Sequence, residues 1–233
     1  ININTLIYIK TKNPEIRIAQ WFLDPLNKNG PDFEKNKNRI LDKIDCIDAS
    51  FLTTSPDVLN FINSKNDFYF IPNPTDPSFE TLNNFNKYCE MDVFYAISHG
   101  VHRGKLKDGK YDERQDFLES LIQVIPGVKF DIYGLNKIQP IWGDSFLKSI
   151  SNSKMGLNLS RGDPIKYYSS DRIAQIVGNG LLNLIDEKTL YRDFFSDKEM
   201  VFYKNIDDLA DKILKYKNDD KERKIIAEKG KIK

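Results

Sequence analysis

The sequence predicts an α/β protein built on parallel, Rossmann-like sheets, and three observations predict it. From Asp92 to Tyr203, short apolar runs alternate with stretches of helical period, the order that gives a parallel sheet with crossover helices. Tyr168-Ser-Ser-Asp-Arg-Ile-Ala-Gln-Ile-Val-Gly-Asn-Gly180 has the marks of a capped amphipathic helix, and it feeds straight into the apolar run Leu181-Leu-Asn-Leu-Ile185. Pro72-Asn-Pro-Thr-Asp-Pro77 places three prolines in six residues, a rigid extended break between two parts of the chain. These divide it into a partial N-terminal α/β half, residues 1–78, and a C-terminal Rossmann-like domain, residues 79–233.

Before the break, Thr5–Lys12 reads as a short helix stopped by Pro14, and Ile16–Leu23 as a strand ending at Asp24-Pro25. Phe33–Asp45 suits a helix with Ile40, Leu41 and Ile44 on one face. Ala49–Thr53 reads as a strand, Pro56–Asn63 as a helix with proline in its first turn, and Phe68–Ile71 as a strand. Three strands are too few for a complete half. The opening Ile1-Asn-Ile-Asn and the closing Gly230-Lys-Ile-Lys suggest a piece of something longer, with the start of the N-terminal half upstream.

After the break the order is strand Asp92–Ser98, helix Tyr111–Val124, strand Lys129–Tyr133, helix Asp144–Ser151 and strand Gly156–Leu159. The helix Ser170–Val177 follows, capped by Ser169 or Ser170 and stopped by Gly178 or Gly180. Then come the strand Leu181–Ile185, a short helix near Leu190–Phe194, the strand Met200–Tyr203 and helices at Ile206–Tyr216 and Asp220–Lys229. In the Ser170 helix, Ile173, Ile176 and Val177 make one buried face, while Tyr168, Arg172, Gln175 and Asn179 form another, whose Arg172 and Gln175 are turned away from the packed centre and expected to face the same cleft as the loop His99–Lys105.

Composition limits the function. Thirty-five Lys and Arg against 34 Asp and Glu give a net charge of +1, which argues against a general nucleic-acid binder. Cys46 and Cys89 show no metal-ligand spacing and read as reduced thiols. The apolar runs fall short of the ~20 residues of a membrane span, and no signal peptide opens the chain, so a cytoplasmic protein is expected. No G-x-G-x-x-G follows any strand, which argues against a dinucleotide-dependent dehydrogenase. Asp207-Asp208 and Asp219-Asp220 read as helix caps, and no acidic metal motif stands at a strand end.

In an open parallel sheet, ligands bind beyond the carboxyl ends of the strands. That rule selects the loops after Ser98, Tyr133, Leu159 and Ile185. The first, Ser98-His-Gly-Val-His-Arg-Gly-Lys105, holds both histidines of the protein. Gly100 and Gly104 admit a close backbone approach, Arg103 offers a planar fork to phosphate oxygens and Lys105 a point charge. His99, at the strand end, is the histidine expected to face a ligand. Arg161 and Lys166 could complete a phosphate site or be surface charges. Asp171 and Arg172 could instead be ordinary helix charges. Asp24, at the end of an N-terminal strand, is either a turn former before Pro25 or a general base.

The helix motif resembles the donor-binding helix of glycosyltransferases of the two-Rossmann-domain (GT-B) fold, and most nearly the bacterial group 1 and CgeB-like transferases. Those carry an Arg, a Glu three residues on, and a small-residue turn ending in Gly before a strand; here Arg172, Gln175 and Gly180 hold these places. Gln175 is the departure, an amide able to donate and accept but not to supply charge. The resemblance implies a sugar transferred from a UDP- or GDP-sugar to a hydroxyl of a glycan or lipid-linked acceptor in surface polysaccharide synthesis. It implies no metal and no further cofactor, and a lipid-linked acceptor would bring the protein to the inner face of the membrane. It also implies His99 and Asp24 as catalytic candidates. The donor would be held by Gly100, Arg103, Lys105, Gly134, Arg161, Lys166, Tyr168, Ser170, Asp171, Arg172, Gln175 and Glu199, with Gly134 making room for the base. A non-catalytic nucleotide-sugar- or glycan-binding protein of the same fold is the alternative that Gln175 keeps open.

Overall fold

Two parallel sheets carry the fold of the computed structural model, which describes residues 1–30, 32–59, 67–98, 101–102, 105–106, 112–135 and 137–233. The chain forms two units: Ile1–Asn73 with Gly162–Ser170, and Pro74–Arg161 with Asp171–Lys233.

The first unit has three parallel strands in the order β1-β2-β3: Ala19–Phe22, Ala49–Leu52 and Asp67–Phe70. Helix α1 (Ile3–Lys12) starts at Asn2, whose side chain accepts from the Asn4 N–H. It buries Leu6 against Cys46 and Ile47. Helix α2 (Phe33–Leu41) sets Ile40 against Phe22, Leu26, Leu52 and Leu59, one buried face of the sheet. The predicted helix to Asp45 stops at Leu41, and a separate 3₁₀ turn, Ile44–Cys46, follows. Of the helix expected over 56–63, the described part is a single 3₁₀ turn, Pro56–Val58; residues 60–66 lie outside the described ones.

The stretch 162–170 returns to this unit from far along the chain and is tied down by backbone groups. Asn27 Nδ2 donates to the Asp163 carbonyl (3.0 Å), Ser55 N–H to the Lys166 carbonyl (3.1 Å) and Asn73 Nδ2 to the Ser169 carbonyl (2.8 Å). The Lys166 ammonium pairs with Asp57, and the Tyr167 ring lies 5.1 Å from that of Phe70. Tyr167 sits at φ 61°, a left-handed conformation that a bulky side chain adopts only when its surroundings impose it.

The second unit has five parallel strands: β4 (Met91–Ala96), β7 (Phe130–Tyr133), β8 (Ser153–Asn158), β9 (Leu182–Asp186) and β10 (Val201–Tyr203). Their order is β10-β9-β8-β4-β7 with every pairing parallel, so all the carboxyl ends share one edge, as the sequence predicts. Between β4 and β7 come an antiparallel hairpin, β5 (Val101–His102) with β6 (Lys105–Leu106), and α3 (Glu113–Val124).

Helices cover both faces. Leu118 and Leu121 of α3, with Leu209 and Ile213 of α6 (Ile206–Asn218), pack on Val93, Tyr95, Leu157 and Leu184. On the opposite face, Ile150 of α4 (Gly143–Ser151) and Ile176 of α5 (Arg172–Gly178) pack on Phe94. Alternation along β4 sends Val93 and Tyr95 one way and Phe94 the other, which is why its residues are buried on both sides. Helix α7 (Asp220–Ile232) buries Arg223, 1% exposed, which pairs with Asp220 (2.7 Å) and donates to the Lys154 carbonyl (3.2 Å) at the start of β8. Asp219 caps α7 as predicted, but α6 is capped by Asn205, with Asp207 and Asp208 inside its first turn. Cys46 and Cys89 are free and buried.

Candidate functional site

The strand order puts a topological switch point at the carboxyl end of β4. The chain leaves β4 to one side for β7 and returns on the other side as β8, and the parting connections leave a crevice where such sheets bind ligands. A cavity of about 300 Å³ lies there, built wholly from the second unit. Ala96, Ile97 and Ser98 continue β4 into it, Ile141, Trp142, Gly143 and Phe146 come from the start of α4, and Asp171, Arg172 and Gln175 from the start of α5.

Three glycines shape this edge. A Cβ on Gly156 of β8 would stand 2.5 Å from Ile176 Cγ1, so its bare backbone is what lets α5 lie close on the sheet. Gly134 has φ +82°, and a Cβ there would meet the Ile97 carbonyl at 2.0 Å. The bare backbone at Gly134 thus lets the end of β4 pass close beside it. Gly143 opens α4 at φ +55° with open space around it, so the sign of φ, not crowding, selects glycine.

Arg172 lines the cavity with Gln175, but its guanidinium is turned back onto the chain and not free for a ligand phosphate as expected. It is 8% exposed; Nε donates to the Ala96 carbonyl (3.3 Å) and Nη1 to the Leu159 carbonyl (3.1 Å), joining the chain just past β8 to the end of β4. Tyr95 Oη donates to the same Leu159 oxygen (2.9 Å), and the Arg172 guanidinium lies 5.1 Å from the Tyr95 ring centre. Burial pushes the Tyr95 hydroxyl pKa up, against the pull of Arg172 and Arg114. Beside it, Asp112 caps α3 and holds Arg114 in a buried pair at 2.5 Å. The cation of Arg172 thus braces the switch point from within. The rim is different: Asp171 is exposed and accepts from Gln175 Nε2 at 3.4 Å.

The family model described as glycosyl transferase-like matches residues 113–233, just over half of the chain. The chain belongs to this glycosyl transferase-like family. No curated protein matches it. Among solved structures it is similar to TarM (16% identity, TM-score 0.61), over 99% of this chain and 49% of that one. It is also similar to sucrose-phosphate synthase from Thermosynechococcus elongatus (11%, TM-score 0.61; 99% of this chain, 66% of that one). A third is an alpha-glucosyltransferase in complex with UDP-glucose and DNA containing an abasic site (14%, TM-score 0.59; 99% and 71%). At these identities the likeness shows the fold, the parallel Rossmann-like sheets of GT-B glycosyltransferases. The chain spans about half the length of TarM and about two thirds of the synthase.

Within this transferase-like chain, the expected donor residues separate into groups. Asp171, Arg172 and Gln175 meet Ser98 in the cavity. His99, Gly100 and Arg103 lie outside the described residues, and Lys105 stands on β6 of the hairpin. Arg161 is half-buried where the chain leaves the second unit. Lys166, Tyr168 and Ser170 belong to the stretch that packs with the first unit, where Lys166 is committed to Asp57. Neither Ser169 nor Ser170 caps α5; its N-cap is Asp171, without a side-chain cap bond. Glu199 precedes β10, at the amino edge and so opposite the cavity, where it accepts from Ser196 N–H (2.8 Å) and Ser196 Oγ (3.0 Å). Asp24, two residues past β1 in the first unit, is exposed and paired with Arg39 at 2.6 Å.

Trp142 and Gly143 were missed by sequence reasoning. The strand-end rule selects the loop after Tyr133, but the residues that reach the cavity come from its far end, a Trp-Gly pair opening α4. Among the described residues there is no group of three or more His, Cys, Asp or Glu able to hold a metal ion, and no helix long and apolar enough to cross a membrane.

Proposed function

We propose that this chain is part of a glycosyltransferase that moves a sugar from a nucleotide-diphosphate sugar to a hydroxyl acceptor. The observation that carries this reading is the cavity at the β4 switch point, lined by Ser98, Trp142, Asp171 and Gln175 in a chain of the glycosyl transferase-like family. The donor diphosphate is assigned to the loop that follows Ser98, where Gly100, Arg103 and Lys105 supply backbone approach and positive charge. His99 is the catalytic candidate of that loop and Asp24 that of the first unit. Charge from side chains in place of a metal would stabilise the leaving diphosphate. Kinship with the CgeB-like branch, a glycan or lipid-linked acceptor, a role in bacterial surface polysaccharide synthesis and peripheral attachment at the inner membrane face belong to the same proposal.

UDP and GDP are the bases to test first; a structural neighbour was solved with UDP-glucose. Isothermal titration of the protein with UDP, GDP and their sugars should show binding to one base family. Absence of binding to all of them would overturn the reading. Gln175 favours a second reading, a donor-binding protein without turnover, because a neutral amide stands in the polar stripe where the related transferases carry a carboxylate. Donor binding with neither transfer nor donor hydrolysis across an acceptor panel would select it.

A further inference from the structure

The sheet of the first unit is packed on one side only. Alternation along its strands sends Phe22, Leu52 and Phe68 into the packed face and leaves Ala19, Trp21, Ala49, Phe51, Asp67 and Tyr69 on the other. A parallel sheet normally has both faces covered, and its strands are then apolar throughout. Here the register sets Trp21, Phe51 and Tyr69 in one row across the three strands. Trp21 is 49% exposed and Tyr69 47%, with Phe51 half-buried between them. The Phe51 and Tyr69 rings lie 5.6 Å apart at 29° to each other, so this surface is formed before anything binds. Beside the row, Ala19 and Ala49 make a low floor that ends at Asp67, whose carboxylate accepts from Tyr69 Oη (3.3 Å).

Size and charge limit what this face can take. Three strands of four residues cover roughly 14 by 13 Å, far less than the ~800 Å² that each partner buries in a stable protein pair. None of the strand positions on this face is Lys or Arg, so it offers no counter-charge to a nucleic acid, a phosphate or an acidic polysaccharide. A neutral sugar chain meets both limits. Its C–H groups suit the negative face of an aromatic ring, and its hydroxyls donate to a carboxylate.

We propose that the open face of β1-β2-β3 binds a neutral glycan laid across the strands, its rings against Trp21 and Tyr69 and its hydroxyls donating to Asp67. The site is a face of the first unit and not the carboxyl edge of either sheet. It stands apart from the transferase reading, because no residue of the β4 cavity takes part.

The test is calorimetry with neutral hexaoses of glucose, mannose and N-acetylglucosamine, with heparin and single-stranded DNA as anionic probes. One of the hexaoses should bind. In Trp142→Phe, which leaves Trp21 as the one tryptophan, that hexaose should shift the fluorescence. Trp21→Ala and Tyr69→Ala should each weaken binding by about three- to ten-fold, the range of one aromatic contact. Asp67→Ala should weaken it by about ten-fold and Asp67→Asn by less. Titrations with UDP and GDP should be the same for these variants as for the wild type. Melting curves of Trp21→Ala and Asp67→Ala should stay close to that of the wild type, since both side chains are exposed. Hexaose binding that survives both aromatic changes would put the glycan elsewhere and overturn the proposal, as would no binding to any hexaose at millimolar concentration. Binding of heparin or DNA that Trp21→Ala abolishes would assign the row to an anionic partner instead. A dimer in sedimentation that Trp21→Ala dissolves would assign it to a second copy of the chain.

Discussion

Arg172 Nη1 reaches back thirteen residues to donate to the Leu159 carbonyl at 3.1 Å, so the first residue of α5 is tied to the chain just beyond the end of β8. The same side chain holds the Ala96 carbonyl, and the switch point depends on it for closure. Arg172→Ala should therefore lower stability by about 2–4 kcal/mol, because two carbonyls lose a charged donor in a buried setting. Urea denaturation checks this. An unchanged midpoint with greatly weakened donor binding would show that Arg172 is a ligand group after all.

Gly156 lies under Ile176, and a methyl group there has no room. Gly156→Ala should cost about 1–3 kcal/mol by forcing α5 off the sheet. Shortening Ile176 to Ala in the same protein removes all three clashing atoms and should return part of that loss, so the two changes should couple in a double-mutant cycle. Strictly additive effects would mean that the strain is relieved elsewhere.

Gln175 is half-buried, and its amide meets Asp171 at a long 3.4 Å. Gln175→Ala should weaken donor binding by about two- to ten-fold, the range of one neutral hydrogen bond. Folding stability should move by less than about 0.5 kcal/mol. Donor titration beside a melting curve separates the two. A large stability loss with unchanged affinity would place Gln175 in the packing and not at the ligand.

Asp92, 2% exposed at the start of β4, accepts from the Lys129 N–H (3.0 Å) and pairs with Lys154 (2.7 Å) and Lys217 (3.3 Å). Burial pushes its pKa up, but the hydrogen bonds and ammonium groups outweigh burial and hold it below the usual carboxylate value. A carboxylate depressed on folding stabilises the protein fully above its unfolded pKa, about 3.9, and loses that contribution as pH falls through the lower folded value. Stability of the wild type should thus decline below about pH 4, and Asp92→Asn, weaker at neutral pH, should show a shallower decline. Parallel curves of stability against pH for the two proteins would refute the assignment.

The five-stranded sheet was legible because Met91–Ala96 and Leu182–Asp186 are short, mainly apolar runs bounded by turn residues, and such runs read as buried strands; β8 starts at Ser153, three residues before the expected Gly156, because Ser153 and Lys154 carry no apolar signal. The burial of Ile173, Ile176 and Val177 followed from their period. The carbonyl partners of Arg172 did not, because helical period gives the face of a side chain and not what it bonds. What draws this one in is a pair of strand-end carbonyls, whose orientation depends on the sheet and not on nearby sequence. Glu199 was misplaced for a related reason. A residue near a strand is at the binding edge only if it follows the strand, and Glu199 precedes β10. Trp142 escaped notice because eight residues separate it from the strand end that marks the loop.

The return of residues 162–170 to the first unit has a consequence for synthesis on the ribosome. Domains generally fold in the order in which they emerge. Here the unit that begins first cannot be completed until much of the second has emerged: the partners of Asn27, Ser55 and Asn73 arrive only with Asp163, Lys166 and Ser169. By then β4, β7 and β8 have already been made. The connections that follow the early strands must wait for these partners through the synthesis of nearly ninety more residues after Asn73. A fragment cut anywhere between Pro74 and Arg161 would separate that stretch from Asn27, Ser55 and Asn73.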